Sequence, residues 1–127
     1  MNNEIVLVVE DNFVNLKLIT ILLTKAGHTV HAAIDAEEAQ KLLVTLHPTL
    51  ILMDIQLPGM DGLTLTHLLK TNPATHHIPV IALTAYAMRG DDTKALQAGC
   101  DGYISKPIDT RTFLSQLTDY LAHAQEG

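Results

Sequence analysis

Short runs of aliphatic, often β-branched residues alternate along the chain with longer stretches whose apolar positions recur at helical spacing. The first run, Ile5 to Val9, holds no polar residue, as expected of a strand buried on both faces. The next stretch, 13–26, has helical spacing and stops at Gly27, a residue suited to the left-handed turn that ends helices. The alternation goes on with a strand over 29–33, a helix over 36–46, a strand over 49–53 and a helix over 63–70. A strand over 79–83, a helix over 89–98 closed by Gly99, a strand over 102–104 and a helix over 109–123 complete it. Strands alternating with helices in this way predict an α/β fold, a doubly wound parallel sheet with right-handed crossovers.

In such sheets, ligands lie beyond the carboxyl ends of the strands. The predicted first strand runs into Glu10 and Asp11, the third into Asp54, the fourth into Thr84 and the fifth into Ser105 and Lys106. Singly, each has an ordinary structural role: Asp11 or Asn12 as a helix cap, Asp54 capping a loop, Thr84 in a turn, Lys106 on the surface. Together they ask for more, because Asp54 closes the apolar run Leu50 to Met53 and converges with two other carboxylates that repel it. A divalent cation relieves that repulsion. Magnesium suits the set, with Glu10, Asp11 and Asp54 as carboxylate ligands and the backbone carbonyl of Gln56 as a further one. Lys106 and Thr84 then fit as phosphate partners, one a point charge and the other a hydroxyl donor. Asp54 can act as a nucleophile in phosphoryl transfer, a reaction that rests on positioning and charge neutralisation. The turn-rich "LPGMDG" is expected to use Pro58, Gly59 and Gly62 for special backbone angles, and Asp61 receives no catalytic role.

Composition narrows the picture. The length of 127 residues fits one domain, and 47% hydrophobic with 17% charged residues fits a packed globular core. The first ten residues lack a secretory signal, and no apolar run reaches membrane-spanning length, so a cytoplasmic place without membrane insertion is expected. The single cysteine, Cys100, allows no internal disulfide, and the 7 histidines show no zinc spacing. A formal charge of −6 with only 8 Lys and Arg argues against nucleic acid as a partner.

The segments "VLVVEDNFVN", "LILMDIQLPGMDG", "IPVIALTAYA" and "GCDGYISKPI" together resemble the receiver (CheY-like) domains of two-component response regulators. The chain looks most like single-domain receivers of the DivK type and the receivers of hybrid sensor histidine kinases. The resemblance implies a five-stranded flavodoxin-like sheet in the order 2-1-3-4-5 with five helices, forming one receiver domain over 1–127. It further implies that Glu10 and Asp11 bind Mg2+ and that Asp54 accepts a phosphoryl group from the phosphohistidine of a sensor kinase or histidine phosphotransfer protein. Thr84 would be the switch hydroxyl, Lys106 a phosphate contact and Tyr103 the switch aromatic that swings inward. Gln56, Ala85 and Tyr86 would tune the lifetime of the acyl phosphate, and the bond before Pro107 would be cis. Such a protein is no enzyme in the ordinary sense, since it catalyses only its own phosphotransfer and slow dephosphorylation.

Two other classes share parts of the pattern. Haloacid-dehalogenase-like phosphohydrolases also pair a nucleophilic Asp with Thr or Ser, Lys and magnesium-binding acids, but place a second Asp two residues after the nucleophile, where this chain has Gln56. A pseudo-receiver that binds partners without phosphorylation would not need every chemical position to be intact, as it is here. The Arg89–Asp91 "RGD" and the His76–His77 pair are assigned no role. The chain stops soon after the fifth helix, so no DNA-binding output module is expected, and the opening methionine favours a complete protein. Output would pass to a protein partner through the face of the fourth helix, fifth strand and fifth helix. The first helix carries more apolar residues than one buried stripe needs, and Phe13 and Leu16 are candidates for docking the phosphodonor.

Overall fold

The computed structural model describes residues 4–84 and 90–126. Five strands, β1 (Ile5–Val9), β2 (Thr29–Ala33), β3 (Leu50–Asp54), β4 (Val80–Thr84) and β5 (Gly102–Ser105), alternate with α1 (Phe13–Lys25), α2 (Ala36–Leu43), α3 (Gly62–Thr71), α4 (Asp91–Ala98) and α5 (Phe113–Glu126). The strands pair in parallel in the order β2-β1-β3-β4-β5, the doubly wound, flavodoxin-like arrangement expected. Among the described residues, no helix is long and apolar enough to cross a membrane.

The uninterrupted apolar strands follow from the layering. Leu7, Val9, Ile51, Met53, Val80 and Ala82 face one layer, where Ala36 and Ala39 of α2, Leu65 and Leu69 of α3 and Ala95 of α4 cover them. Val6, Val8, Leu50, Leu52, Ile81 and Leu83 face the other, under Ile19 and Leu23 of α1 and Phe113, Leu117 and Leu121 of α5. With a helix layer on each side, neither strand face can be polar, and alternation disappears. Each fully buried Leu or Ile side chain contributes about 1.5–3 kcal/mol.

The helix starts are set by side-chain caps. Asn12, Asp35 and Asp61 accept from the N–H groups of Asn15, Glu38 and Thr64. In α2, Glu38 also reaches back past the cap and accepts from Ile34 N at 3.3 Å. Of the two candidates, Asn12 is the cap of α1, which leaves Asp11 free of that task.

Several boundaries differ from expectation. α2 ends at Leu43, before residue 46, because Val44 and Thr45 donate to the carbonyls three residues back and tighten the last turn ahead of Pro48. β3 and β4 each sit one residue later than expected, which places Asp54 and Thr84 inside their strands as the last residues. α5 starts at Phe113 because Asp109 folds the preceding residues into a turn, its side chain accepting from Arg111 N at 2.9 Å. α4 begins at Asp91 after Gly90, whose φ of 81 is left-handed; residue 89, the expected start, lies outside the described residues.

Candidate functional site

Strand register gathers the site. β1 pairs Val9 with Met53 of β3, β3 pairs Asp54 with Leu83 of β4, and β4 pairs Thr84 with Ser105 of β5. Glu10, Asp54, Thr84 and Lys106 therefore emerge side by side at one edge of the sheet, as expected of parallel strands ending together.

Lys106 stands at the centre. Its Nζ donates to Asp54 Oδ2 at 3.0 Å and forms an ion pair with Glu10 Oε1 at 2.8 Å. Asp54 Oδ1 accepts from Gln56 N at 2.9 Å, and Glu10 Oε2 accepts from Asn12 N at 3.1 Å. Asp54 is 3% exposed and Glu10 not at all. Beyond that ion pair, the buried Glu10 Oε1 has no hydrogen-bond partner among the described residues. Burial pushes the Glu10 carboxyl up to about 7, helped by the neighbouring Asp54 carboxyl and only partly opposed by Lys106 and the Asn12 N–H. Burial alone would lower the Lys106 ammonium, but the bonds and charges of Glu10 and Asp54 outweigh it and raise the group above its ordinary value.

One carboxylate oxygen from each of Glu10, Asp11 and Asp54 lies within 4.8 Å of the others, with Asp11 exposed at the mouth. One ammonium faces three carboxyls, so the site is short of positive charge. An all-oxygen donor set of three converging carboxylates fits a hard divalent cation such as Mg2+.

Thr84 is fully buried, and its Oγ1 has no hydrogen-bond partner among the described residues. A hydroxyl left so costs about 1–3 kcal/mol, and this one lies at the strand end next to Asp54. Tyr103 is half-buried, its side chain packed against the layer beneath α2, α3 and α4. The Lys106–Pro107 bond is cis. The Gln56 N–H is the part of that residue that touches Asp54. Ala85 and Tyr86 lie outside the described residues.

Gly62 requires a correction. Of the two glycines in the loop, Gly59 has the special angle, with φ 73, whereas Gly62 is required by close approach. A Cβ there would stand 2.1 Å from the Asp54 carbonyl oxygen and 2.7 Å from Ile55 Cα. The start of α3 thus rests directly on the backbone that carries Asp54. No spacing rule identifies such a contact.

On α1, Phe13 is 75% and Val14 73% exposed. Leu16, by contrast, is half-buried against the core shared with α5. Cys100 is buried, with Sγ 3.8 Å from Thr66 Oγ1, and burial pushes the thiol up; it is a packing residue.

Residues 6–118 match the family model described as response regulator receiver domain. The chain is 45% identical over 119 residues to the polar-differentiation response regulator DivK of Brucella ovis, covering 94% of this chain and 97% of that one. Among solved structures, a putative response regulator from Chloroflexus aurantiacus superposes with a TM-score of 0.90 at 27% identity, covering 95% of this chain and 99% of the other. The receiver domain of a Pseudomonas aeruginosa sensor histidine kinase, with a magnesium ion coordinated in its active-site cleft, gives 0.86 at 32% identity over 95% and 99%. With the matched family model spanning most of the chain and the same fold in its relatives, the chain belongs to the response regulator receiver domain family.

Proposed function

We propose that this chain is a phosphorylation-dependent receiver that takes a phosphoryl group from a phosphohistidine onto Asp54 and so switches a protein-binding face. The observation that carries the reading is the unpartnered Thr84 Oγ1 beside a carboxylate already held by Lys106. A hydroxyl donor and an ammonium flank the place where a phosphoryl group on Asp54 would lie, and the hydroxyl has no other partner among the described residues.

Gln56 N–H holds Asp54 Oδ1 and Lys106 holds Oδ2, so the nucleophile is fixed in orientation before the donor arrives. A carboxylate oxygen of Asp54 bonds to phosphorus as the P–N bond to the donor imidazole breaks, and the imidazole nitrogen keeps that electron pair. Lys106 transfers its contact from the carboxylate to a phosphoryl oxygen, and Thr84 donates to another. Glu10, Asp11, Asp54 and the carbonyl of Gln56 would hold Mg2+, which when bound neutralises phosphoryl charge and the mutual repulsion of the acids. No side chain two residues beyond Asp54 can serve as an acid or base for hydrolysis, since Gln56 stands there. The acyl phosphate then persists as a signal.

Movement of Thr84 toward the phosphoryl group opens space for the Tyr103 ring, which remodels the face of α4, β5 and α5 for a downstream protein. Phe13, exposed at the active-site end of α1, docks the helical donor domain, with Leu16 supporting it from below. The setting is cytoplasmic. Intact-mass measurement after incubation with acetyl phosphate tests the chemistry. Wild type gains one phosphoryl group only with Mg2+, and Asp54→Asn gains none; an adduct that survives in Asp54→Asn refutes the assignment.

A further inference from the structure

β5 is an edge strand, paired only with β4. Its outward N–H and C=O groups would ordinarily be open to water or to a strand from another chain. At Tyr103 they are neither. The Tyr120 hydroxyl of α5 accepts from Tyr103 N at 3.3 Å and donates to Tyr103 O at 3.0 Å, taking the place a sixth strand would fill.

Gly102 makes this possible. A Cβ at that position would lie 2.2 Å from Tyr120 Cε1 and 2.5 Å from Cζ, so the ring lies directly on the glycine and reaches past it to the edge. Any other residue would push the phenol off its two partners. The pair Gly102 and Tyr120 is therefore a built contact, with both functions of one hydroxyl used on one residue.

Its place in the layers gives it a consequence. The Tyr103 side chain packs on the layer beneath α2, α3 and α4, while Tyr120 packs on the opposite layer with α5. The two rings lie on opposite faces of the sheet, and the Tyr103 backbone is the connection between them. We propose that Tyr120 is a positioning residue of the switch, its hydroxyl clamping the Tyr103 main chain so that reorientation of the Tyr103 ring on one face is transmitted to α5 on the other. The clamp also closes the β5 edge to strand addition at that residue. This rests on the phosphoryl switch proposed above and adds to it the route by which α5 is informed.

The test is backbone amide NMR of wild type and Tyr120→Phe, with and without Mg2+ and beryllofluoride as the phosphoryl mimic. In wild type the mimic shifts the amides of Ile55 and Gln56 at the site and those of Leu117 and Leu121 in α5. In Tyr120→Phe the site shifts and the affinity for the mimic are retained, the α5 shifts fall at least fivefold, and the Tyr103 amide exchanges with solvent at least tenfold faster. A purely structural role would lower stability without separating the two sets of shifts. Equal α5 shifts in both proteins overturn the clamp, as does a Tyr103 amide in wild type that exchanges as fast as an open edge. Absence of site shifts at Ile55 and Gln56 in wild type overturns instead the receiver chemistry on which the clamp depends.

Discussion

Gly62 ties stability and chemistry to a single missing atom, and Gly62→Ala tests that link. The added Cβ would meet the Asp54 carbonyl oxygen at 2.1 Å, Ile55 Cα at 2.7 Å and the Asp54 carbonyl carbon at 2.9 Å. All three are backbone atoms at the end of a central strand, so no side chain can turn aside, and the start of α3 must retreat by more than about 1 Å to reach ordinary contact. Overpacking of this kind costs about 1–3 kcal/mol, and a rigid obstacle puts it at the upper end. The Gly62 N–H to Ile55 O bond of 3.2 Å is weakened in the same movement, adding about 1 kcal/mol. Replacing glycine within a helix returns about 0.5–1 kcal/mol, which leaves a net loss of about 3 kcal/mol. Urea unfolding in chelator measures this, with Gly27→Ala as control. Gly27 has φ 92 and open space around it, so alanine there meets only the left-handed penalty of about 1–2 kcal/mol. Because the strain at Gly62 falls on Asp54, Mg2+ affinity measured by calorimetry drops in Gly62→Ala and is unchanged in Gly27→Ala. A Gly62→Ala protein as stable as the control, or one binding Mg2+ as tightly as wild type, refutes the reasoning.

Glu10 predicts a pH dependence of the metal-free protein. Its carboxyl rises from 4.5 unfolded to about 7 folded, so the folded state holds the extra proton. The resulting stabilisation is fully present below pH 4.5 and is lost as pH rises through about 7, on the order of 3 kcal/mol. Urea midpoints in chelator between pH 5 and 8 should show that decline in wild type and not in Glu10→Gln; parallel profiles count against it. Phe13→Ala should change stability by less than about 0.5 kcal/mol, as expected of an exposed surface position. It should slow transfer from the cognate phosphohistidine donor at least fivefold and leave labelling by acetyl phosphate unchanged. Equal slowing with both donors would place Phe13 in the chemistry and not in docking.

Much of this protein was legible in the order of its residues. Three apolar strands without alternation, β1, β3 and β4, could only belong to a sheet covered on both faces, and parallel strands end together, so Glu10, Asp54, Thr84 and Lys106 had to share an edge. Their chemistry followed from residue type, because carboxylates brought together require positive charge. What tertiary structure alone decided concerns contacts between positions far apart in the chain with no periodicity to announce them. That Lys106 stands between Glu10 and Asp54 depends on side-chain reach across strands, and so does the carboxyl that burial pushes to about 7. Gly62 looked like a turn residue, yet it is glycine because the backbone at the end of β3 occupies the space its Cβ would take. Tyr120 looked like one more half-apolar position on the last helix, until the fold set its ring on Gly102 and its hydroxyl on the edge of β5. Hydrophobic pattern and strand direction are local and repeat, so a sequence carries them openly; steric exclusion and hydrogen-bond pairing across layers exist only once the layers have packed.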